Sequence, residues 1–423
     1  MKEDFLHYVW KYQKLNALRL QTTQEELVTV LHAGQYLELA GPDFFNAQII
    51  IAGQKWAGNV EIHVKSSDWY LHHHERDTAY ENVILHVVWE HDAAVFGPNN
   101  LEIPVVVLRD FVSPELLYNY QTLMTQKSWI YCEKQLKNID SFIITNWQER
   151  LFFERLERKS QAIFDNLIIT QNDWEAVLFL FLAKNFGLNT NGLSFFKIAQ
   201  AIPFTIIRKE SSDLQNIEAL FFGMAGLLEN DKEDAYFKDL QFRFYYLLQK
   251  YAIEKAVIEP LQFFKHRPDN FPTIRLAQLA NLYHQQNNLF TKIANEFSLP
   301  SLYQIFSVTT TDYWQTHYQF DKESPKKLKK LSKSFVDLII INTIIPIQFA
   351  YAKNQGKEIA EDLIALMQTV TSEKNAILDK FSIFGLSVKT AFEAQALLQL
   401  KSEYCNKSRC LECAIGAELL KQE

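Results

Sequence analysis

Cysteine is scarce. Four residues in 423 are too few for a disulfide-stapled scaffold, and such usage fits a reducing compartment. Glycine is also sparse, at 12 residues, while aromatic residues make up 14%, a combination that favours a helix-rich chain with large side chains in its core. A basic excess is missing as well: 43 Lys and Arg stand against 50 Asp and Glu, for a formal net charge of −7. That balance argues against a broadly basic, nucleic-acid-coating surface, and leaves room for a local positive cleft or for a metal that supplies the positive charge. No apolar run reaches the ~20 residues needed to span a bilayer. The most apolar stretch, residues 338–352, carries Asn342, Pro346 and Gln348 and reads as a buried helix. The start, Met1-Lys2-Glu3-Asp4, is mixed in charge, and residues 5–10 are too short for the apolar region of a secretory signal. A cytoplasmic location and no membrane partner are therefore expected. No period of 20–50 residues signals a regular repeat array.

What is present divides along the chain. At 48% apolar content, 423 residues suffice for two or three domains, and the patterns suggest an α+β chain. Residues 1–125 read as a mixed α/β domain with a small sheet, and residues 126–423 as a large all-α domain. Residues 3–19 have the spacing of an amphipathic helix, and residues 25–31 fit a short helix or a strand. A hairpin follows, residues 46–51 and 55–65, turning at Ala52-Gly53. Residues 66–80 suggest a helix capped by Ser66 or Ser67; residues 83–89 and 101–108 read as strands.

Most of the chemistry in this part lies between Gly41 and Asp92. In 60–65 the alternation places Val60, Ile62 and Val64 on one side and Glu61, His63 and Lys65 on the other, which a solvated strand face would also do. The setting points further: Pro42-Asp43 lies one hairpin upstream, and His72, His73, His74 and His86 follow. Paired carboxylates hold Mg²⁺ or Mn²⁺ through oxygen, and a nearby cation steadies developing negative charge. Asp68, His72, His74 and His86 are supporting candidates, since imidazoles suit a transition metal.

The order Pro42-Asp43, Glu61-x-His63-x-Lys65, helix and strand resembles the core of the PD-(D/E)xK nuclease-like superfamily. The resemblance implies a restriction-endonuclease-like sheet with catalytic Asp43, Glu61, His63 and Lys65, the first two holding the ion. The family pattern places Lys two residues after the acid, where this chain has His63. Either Lys65 has taken over the role, or His63 is a ligand or base, or hydrolysis has been lost. In that superfamily a first helix often carries a further glutamate; Glu25, Glu26 and Glu38 are candidates, with ordinary surface as the other reading. A longer resemblance rests on GPDFFNA, GNVEIH-x-K-SSDW, VILHVV, LFFERLERKS, KNFGLN, IEALFFG-x-AGLLE, RP-x-NFPTIRLAQLA and the terminal C-x4-CLEC-x-IG. These motifs are similar to those of a bacterial family known as domain-of-unknown-function family 2851, which implies no activity.

Helical periodicity dominates the remainder. Residues 147–163, 174–186, 217–228 and 236–251 read as helices, with residues 185–192 as a connecting loop. Residues 267–275 break the series as a rigid connector, or present Arg267 and Arg275 as guanidinium forks to phosphate or carboxylate. The one dense basic run, Lys326, Lys327, Lys329, Lys330 and Lys333, reads as a solvated helix face or as a contact to a nucleic-acid backbone.

Three cysteines, Cys405, Cys410 and Cys413, form a C-x4-C-x2-C run, and Cys132 makes a fourth. Four thiolates are the set taken by Zn²⁺ or by a cubane iron–sulfur cluster; the other reading is reduced cysteines packing the last helices. The arrangement is similar in idea to the iron–sulfur staple of several helicase-associated nucleases. One metal would then join the two ends of the helical region. The leading expectation is a divalent-metal-dependent nuclease-like hydrolase with nucleic acid as partner. The alternative is a non-catalytic scaffold or partner-binding protein in which the same residues form a structural network.

Overall fold

The computed structural model describes residues 2–16, 19–36, 41–124, 128–229, 231–264 and 266–421. Glu38 lies outside them. Helix takes up 56% of the chain and strand 12%, so the fold is α+β, with a small mixed sheet region ahead of a large helical one. The chain forms two compact units, Met1–Trp147 with Lys401–Glu423, and Gln148–Leu400. Residues 126–147 and 401–423 thus group with the N-terminal sheet and not with the helices between them.

The first unit opens with α1 (Glu3–Lys11), which buries Phe5, Leu6, Tyr8, Val9 and Trp10. It is shorter than the helix expected over 3–19; Tyr12 caps it and is half exposed. Then come β1 (Val28–His32), β2 (Gln35–Tyr36), β3 (Phe44–Ile51) and β4 (Gln54–Lys65). Ala52 and Gly53 both have positive φ, 50° and 82°, the conformation of a type I′ turn, whose twist matches that of the strands it joins.

A crossover follows β4. Residues 66–80 do not form the single helix expected. They give α2 (Asp68–Leu71), then two short 3₁₀ turns, His74–Arg76 and Thr78–Tyr80. The seryl hydroxyls expected to cap a helix are bound elsewhere: Ser66 Oγ and Ser67 Oγ donate to Asp92, at 3.1 and 2.8 Å. His73, at φ 62°, takes the chain out of α2. Next are β5 (Val83–Glu90), β6 (Val105–Val107) and α3 (Pro114–Met124). The strand expected over 101–108 is thus confined to its last half.

The sheet order is β1-β3-β4-β5-β6, with β2 also on β3. β1, β3 and β4 are antiparallel; β4, β5 and β6 are parallel. Val60, Ile62, Leu85 and Val87 pack with α1, α3, Leu411 and Leu420 on one face. Trp69, Tyr80, Val83 and Val88 form a second core on the other. Period-two alternation therefore turns Glu61 and His63 toward the crossover side.

The second unit is built of helices, among them Trp174–Phe186, Leu188–Ala201, Leu214–Met224, Ala235–Tyr251 and Pro272–Gln285. The loop expected over 185–192 is reduced to Gly187, because the next helix begins at Leu188. Residues 333–355 run as one helix, long and apolar enough to cross a membrane, but 72% of its most apolar window is buried in the protein. The basic run does not begin this helix until Lys333; residues 325–332 are irregular, and Lys329 is buried, not solvated.

Candidate metal centre

Asp43, just ahead of β3, and Glu61, on β4, are tied by reciprocal bonds. The Asp43 N–H donates to Glu61 Oε2 at 3.1 Å, and the Ile62 N–H donates to Asp43 Oδ2 at 3.0 Å. The free oxygen, Glu61 Oε1, lies 3.5 Å from His63 Nε2 and 3.4 Å from His74 Nε2. His63 Nε2 is 3.1 Å from His72 Nδ1. One ligand atom from each of His63, His72 and His74 falls within 4.8 Å of the others. Three imidazoles beside a carboxylate make a donor set that fits a first-row transition metal. His74 Nε2 is buried without a hydrogen-bond partner, an orphaned lone pair that a cation would satisfy. His72 is exposed while His63 and His74 are buried, so the cluster opens to solvent on one side.

The electrostatics follow from burial. Burial pushes the Glu61 carboxyl up to about 9, with the charge of Asp43 adding to the effect. Burial, helped by His74 and His72, pushes His63 down to about 3. The cluster therefore disfavours charge on its own groups, and a bound cation would restore the carboxylate. His86, with no exposed surface, is held well below the usual imidazole range by burial. Its Nε2 is 2.8 Å from His63 Nδ1. For His63 to ligate through Nε2, its Nδ1–H must donate to His86, which fixes tautomer and ring orientation.

Two residues of the site were not legible in the sequence. His7 Nε2, on α1, is 3.3 Å from Asp43 Oδ2; burial opposes its charge, but Asp43 outweighs burial and raises it. Glu3, one turn earlier, is raised by burial and feels both His7 and Asp43. Their i,i+4 spacing on the polar side of α1 was the available signal, but nothing local relates residues 3–7 to residue 43. Lys65 stands at the exposed end of β4, where its N–H donates to Asp68 Oδ2 at 2.9 Å. Among the described contacts, neither Lys65 nor Asp68 joins the carboxylates. Glu25 is exposed and Glu26 accepts from Thr22 Oγ1 at 3.4 Å. His7 also borders a cavity of about 420 Å³ that includes Lys11, Tyr12, Tyr36, Lys407 and Arg409.

All four cysteines are free and belong to the first unit. The segments that carry them touch: Tyr131 Oη is 3.4 Å from Ser408 Oγ, and Lys401 Nζ donates to Trp129 O at 2.9 Å. Burial pushes the Cys405 and Cys410 thiols up to about 12, with the neighbouring cysteines adding, and raises Cys132 and Cys413 as well. The N–H groups of Gly416 and Ile415 bond to the Cys413 sulfur. Among the described residues, no three of these sulfurs lie within 4.8 Å of one another, as the three imidazoles do. The cysteine-bearing segments thus meet within the first unit, one preceding and one following the helical unit Gln148–Leu400 in sequence.

Comparison with curated proteins and with solved structures returns no match. One family model, described as a protein of unknown function (DUF2851), matches residues 3–376. Its span holds every residue of the imidazole–carboxylate cluster and Cys132, and stops short of the other three cysteines. The chain therefore belongs to the DUF2851 family.

Proposed function

We propose that this protein is a divalent-metal-dependent, nuclease-like phosphodiester hydrolase acting on nucleic acid. The observation that carries the reading is the meeting of Glu61 Oε1, His63 Nε2, His72 Nδ1 and His74 Nε2 beside Asp43. Imidazoles make this set softer than the all-oxygen shell Mg²⁺ prefers, so Mn²⁺ suits it better, with Zn²⁺ as competitor. Such an ion lowers the pKa of a coordinated water and neutralises phosphoryl charge. Glu61, His63, His72 and His74 would hold the ion, His86 would orient His63, and Asp43 would act as general base. The cavity beside His7 is lined by three cations, of which Lys407 and Arg409 are paired with Glu403 and Glu412, and by three tyrosines, charge for a backbone and rings for stacked bases. The order of α1, the antiparallel strands β1 to β4, a crossover and parallel β5 supports this reading.

The test is Mn²⁺ titration calorimetry together with cleavage of fluorescent DNA and RNA oligonucleotides. Glu61→Gln and His63→Ala should lose both binding and at least ~100-fold in rate, while His73→Ala behaves as wild type. Undiminished cleavage by Glu61→Gln would falsify the assignment. One observation favours a second reading: His86, His63 and His72 already form a chain of contacts at 2.8 and 3.1 Å, as a structural network in a non-catalytic protein would. Under that reading neither Mn²⁺ nor Zn²⁺ binds.

The same proposal assigns an iron–sulfur cluster to Cys132, Cys405, Cys410 and Cys413. A single Zn²⁺, with bonds of ~2.3 Å, draws its sulfurs to within ~4 Å of one another. A cubane ligated at its corners holds them further apart, and the two differ in the metal that purified protein carries. Anaerobically purified protein should contain iron and absorb broadly in the visible, and Cys410→Ser should lose both. Zinc in place of iron, or no metal at all, would reject the cluster.

A further inference from the structure

In the second unit, two sequence features some fifty residues apart meet in one cavity of about 370 Å³. Arg267 and Arg275, around the Pro-rich break, line it together with Lys327, Lys329 and Lys330 of the basic run; Asp269 is the one carboxylate in the lining. Five cations against one acid is an unusual concentration in a chain of net charge −7. The segments are locked together. Gln278 Nε2 donates to Lys329 O at 3.0 Å, and Lys327 Nζ bonds Asp269 Oδ2 at 2.6 Å. Tyr318 also donates to Asp269, at 3.0 Å, so this carboxylate is already compensated.

Arg275 is the informative residue. It is only 5% exposed, yet its fork meets neutral amides: Nη1 donates to Gln278 Oε1 at 2.7 Å and Nη2 to Asn270 Oδ1. Its guanidinium lies 3.5 Å over the ring of Phe335, which fixes its plane. Nε is buried with no partner at all. A buried guanidinium without a carboxylate is costly, and a preorganised fork with an unused donor is what bidentate oxyanion recognition requires. Lys329, also buried, has its Nζ held by His317 O at 2.7 Å and by Trp314 O, and burial lowers it to about 8. Among the described residues, Arg267 and Lys330 make no ion pair, and both are exposed at the rim.

We propose that this cavity binds a phosphate monoester, with Arg275 as the buried fork and Arg267 and Lys330 closing on the remaining oxygens. A small pocket with one fixed guanidinium suits a terminal phosphate dianion better than the running phosphodiesters of a strand, which need an open groove. The site is separate from the imidazole–carboxylate cluster and does not depend on its assignment.

Thermal unfolding and calorimetry on the full chain, at matched ionic strength in chloride, test it with five probes. These are inorganic phosphate, adenosine monophosphate, adenosine, and one oligonucleotide with and without a 5′-phosphate. Saturable stabilisation by phosphate, by the monophosphate or by the 5′-phosphorylated strand, with none by adenosine, is expected; the strongest of the three identifies the source. Arg275→Gln should abolish it. Because that variant touches the core, the exposed pair Arg267→Gln and Lys330→Gln provide the second arm, each weakening Kd by roughly tenfold. The site is rejected if no phosphate-bearing probe stabilises the protein beyond chloride, if both rim variants bind as wild type does, or if the unphosphorylated strand binds as well as the phosphorylated one.

Discussion

His86 shows how much of the site rests on a residue that would touch neither metal nor substrate. It has no exposed surface, and one ring nitrogen meets His63. His86→Ala should therefore weaken Mn²⁺ binding by ~10–100-fold with His63 still in place, as read by titration calorimetry. Glu218 makes a different statement about burial. It too has no exposed surface, accepts from Tyr236 Oη, and burial pushes its carboxyl up to about 8. In the unfolded chain the same group ionises near ~4.3. The folded state thus binds the extra proton between these values, so the contribution of Glu218 to stability is full below the lower one and lost as pH rises through the upper. Thermal unfolding of wild type should fall from pH 5 to pH 8 by more than that of Glu218→Gln.

At the scale of elements, β4 and β5 carry the site, and their approach depends on Gly58. A Cβ there would lie 2.4 Å from Ile84 Cγ2 and 2.6 Å from Asn82 O, and the second is backbone that cannot swing away. Gly58→Ala should cost ~1–3 kcal/mol in urea denaturation and weaken Mn²⁺ binding, since Glu61 and His63 lie on the same strand. Gly416 plays the equivalent part for the cysteines. A Cβ would come within 2.0 Å of Cys410 O, so Gly416→Ala must displace that residue, and iron content of the purified variant should drop. The crossover was legible as a polar, histidine-bearing connection but not in its form. Asp92, a residue distant in sequence, takes the Ser66 and Ser67 hydroxyls and leaves only short turns, which bring His72 and His74 to the same side of His63.

For the whole molecule, the end of the chain is part of the first unit. Leu411 and Leu420 lie in the core that α1 and the sheet build, and each such side chain contributes ~1.5–3 kcal/mol. A chain stopped after Leu400 should show a lower denaturation midpoint for this unit, measured by near-ultraviolet circular dichroism. The sequence by itself determined the hairpin, through Ala52-Gly53 and strict alternation; the paired faces of β4, through period two; and the helical remainder, through its apolar stripes. These are local properties, set by neighbours within a few residues. Only the tertiary structure decided which distant groups meet. His7 joins Asp43 because α1 packs on the sheet, the four cysteines gather because the last segment returns, and Arg275 and Lys330 share a cavity because Gln278 ties the two segments together. Each depends on packing between segments far apart in the chain, which no local pattern records.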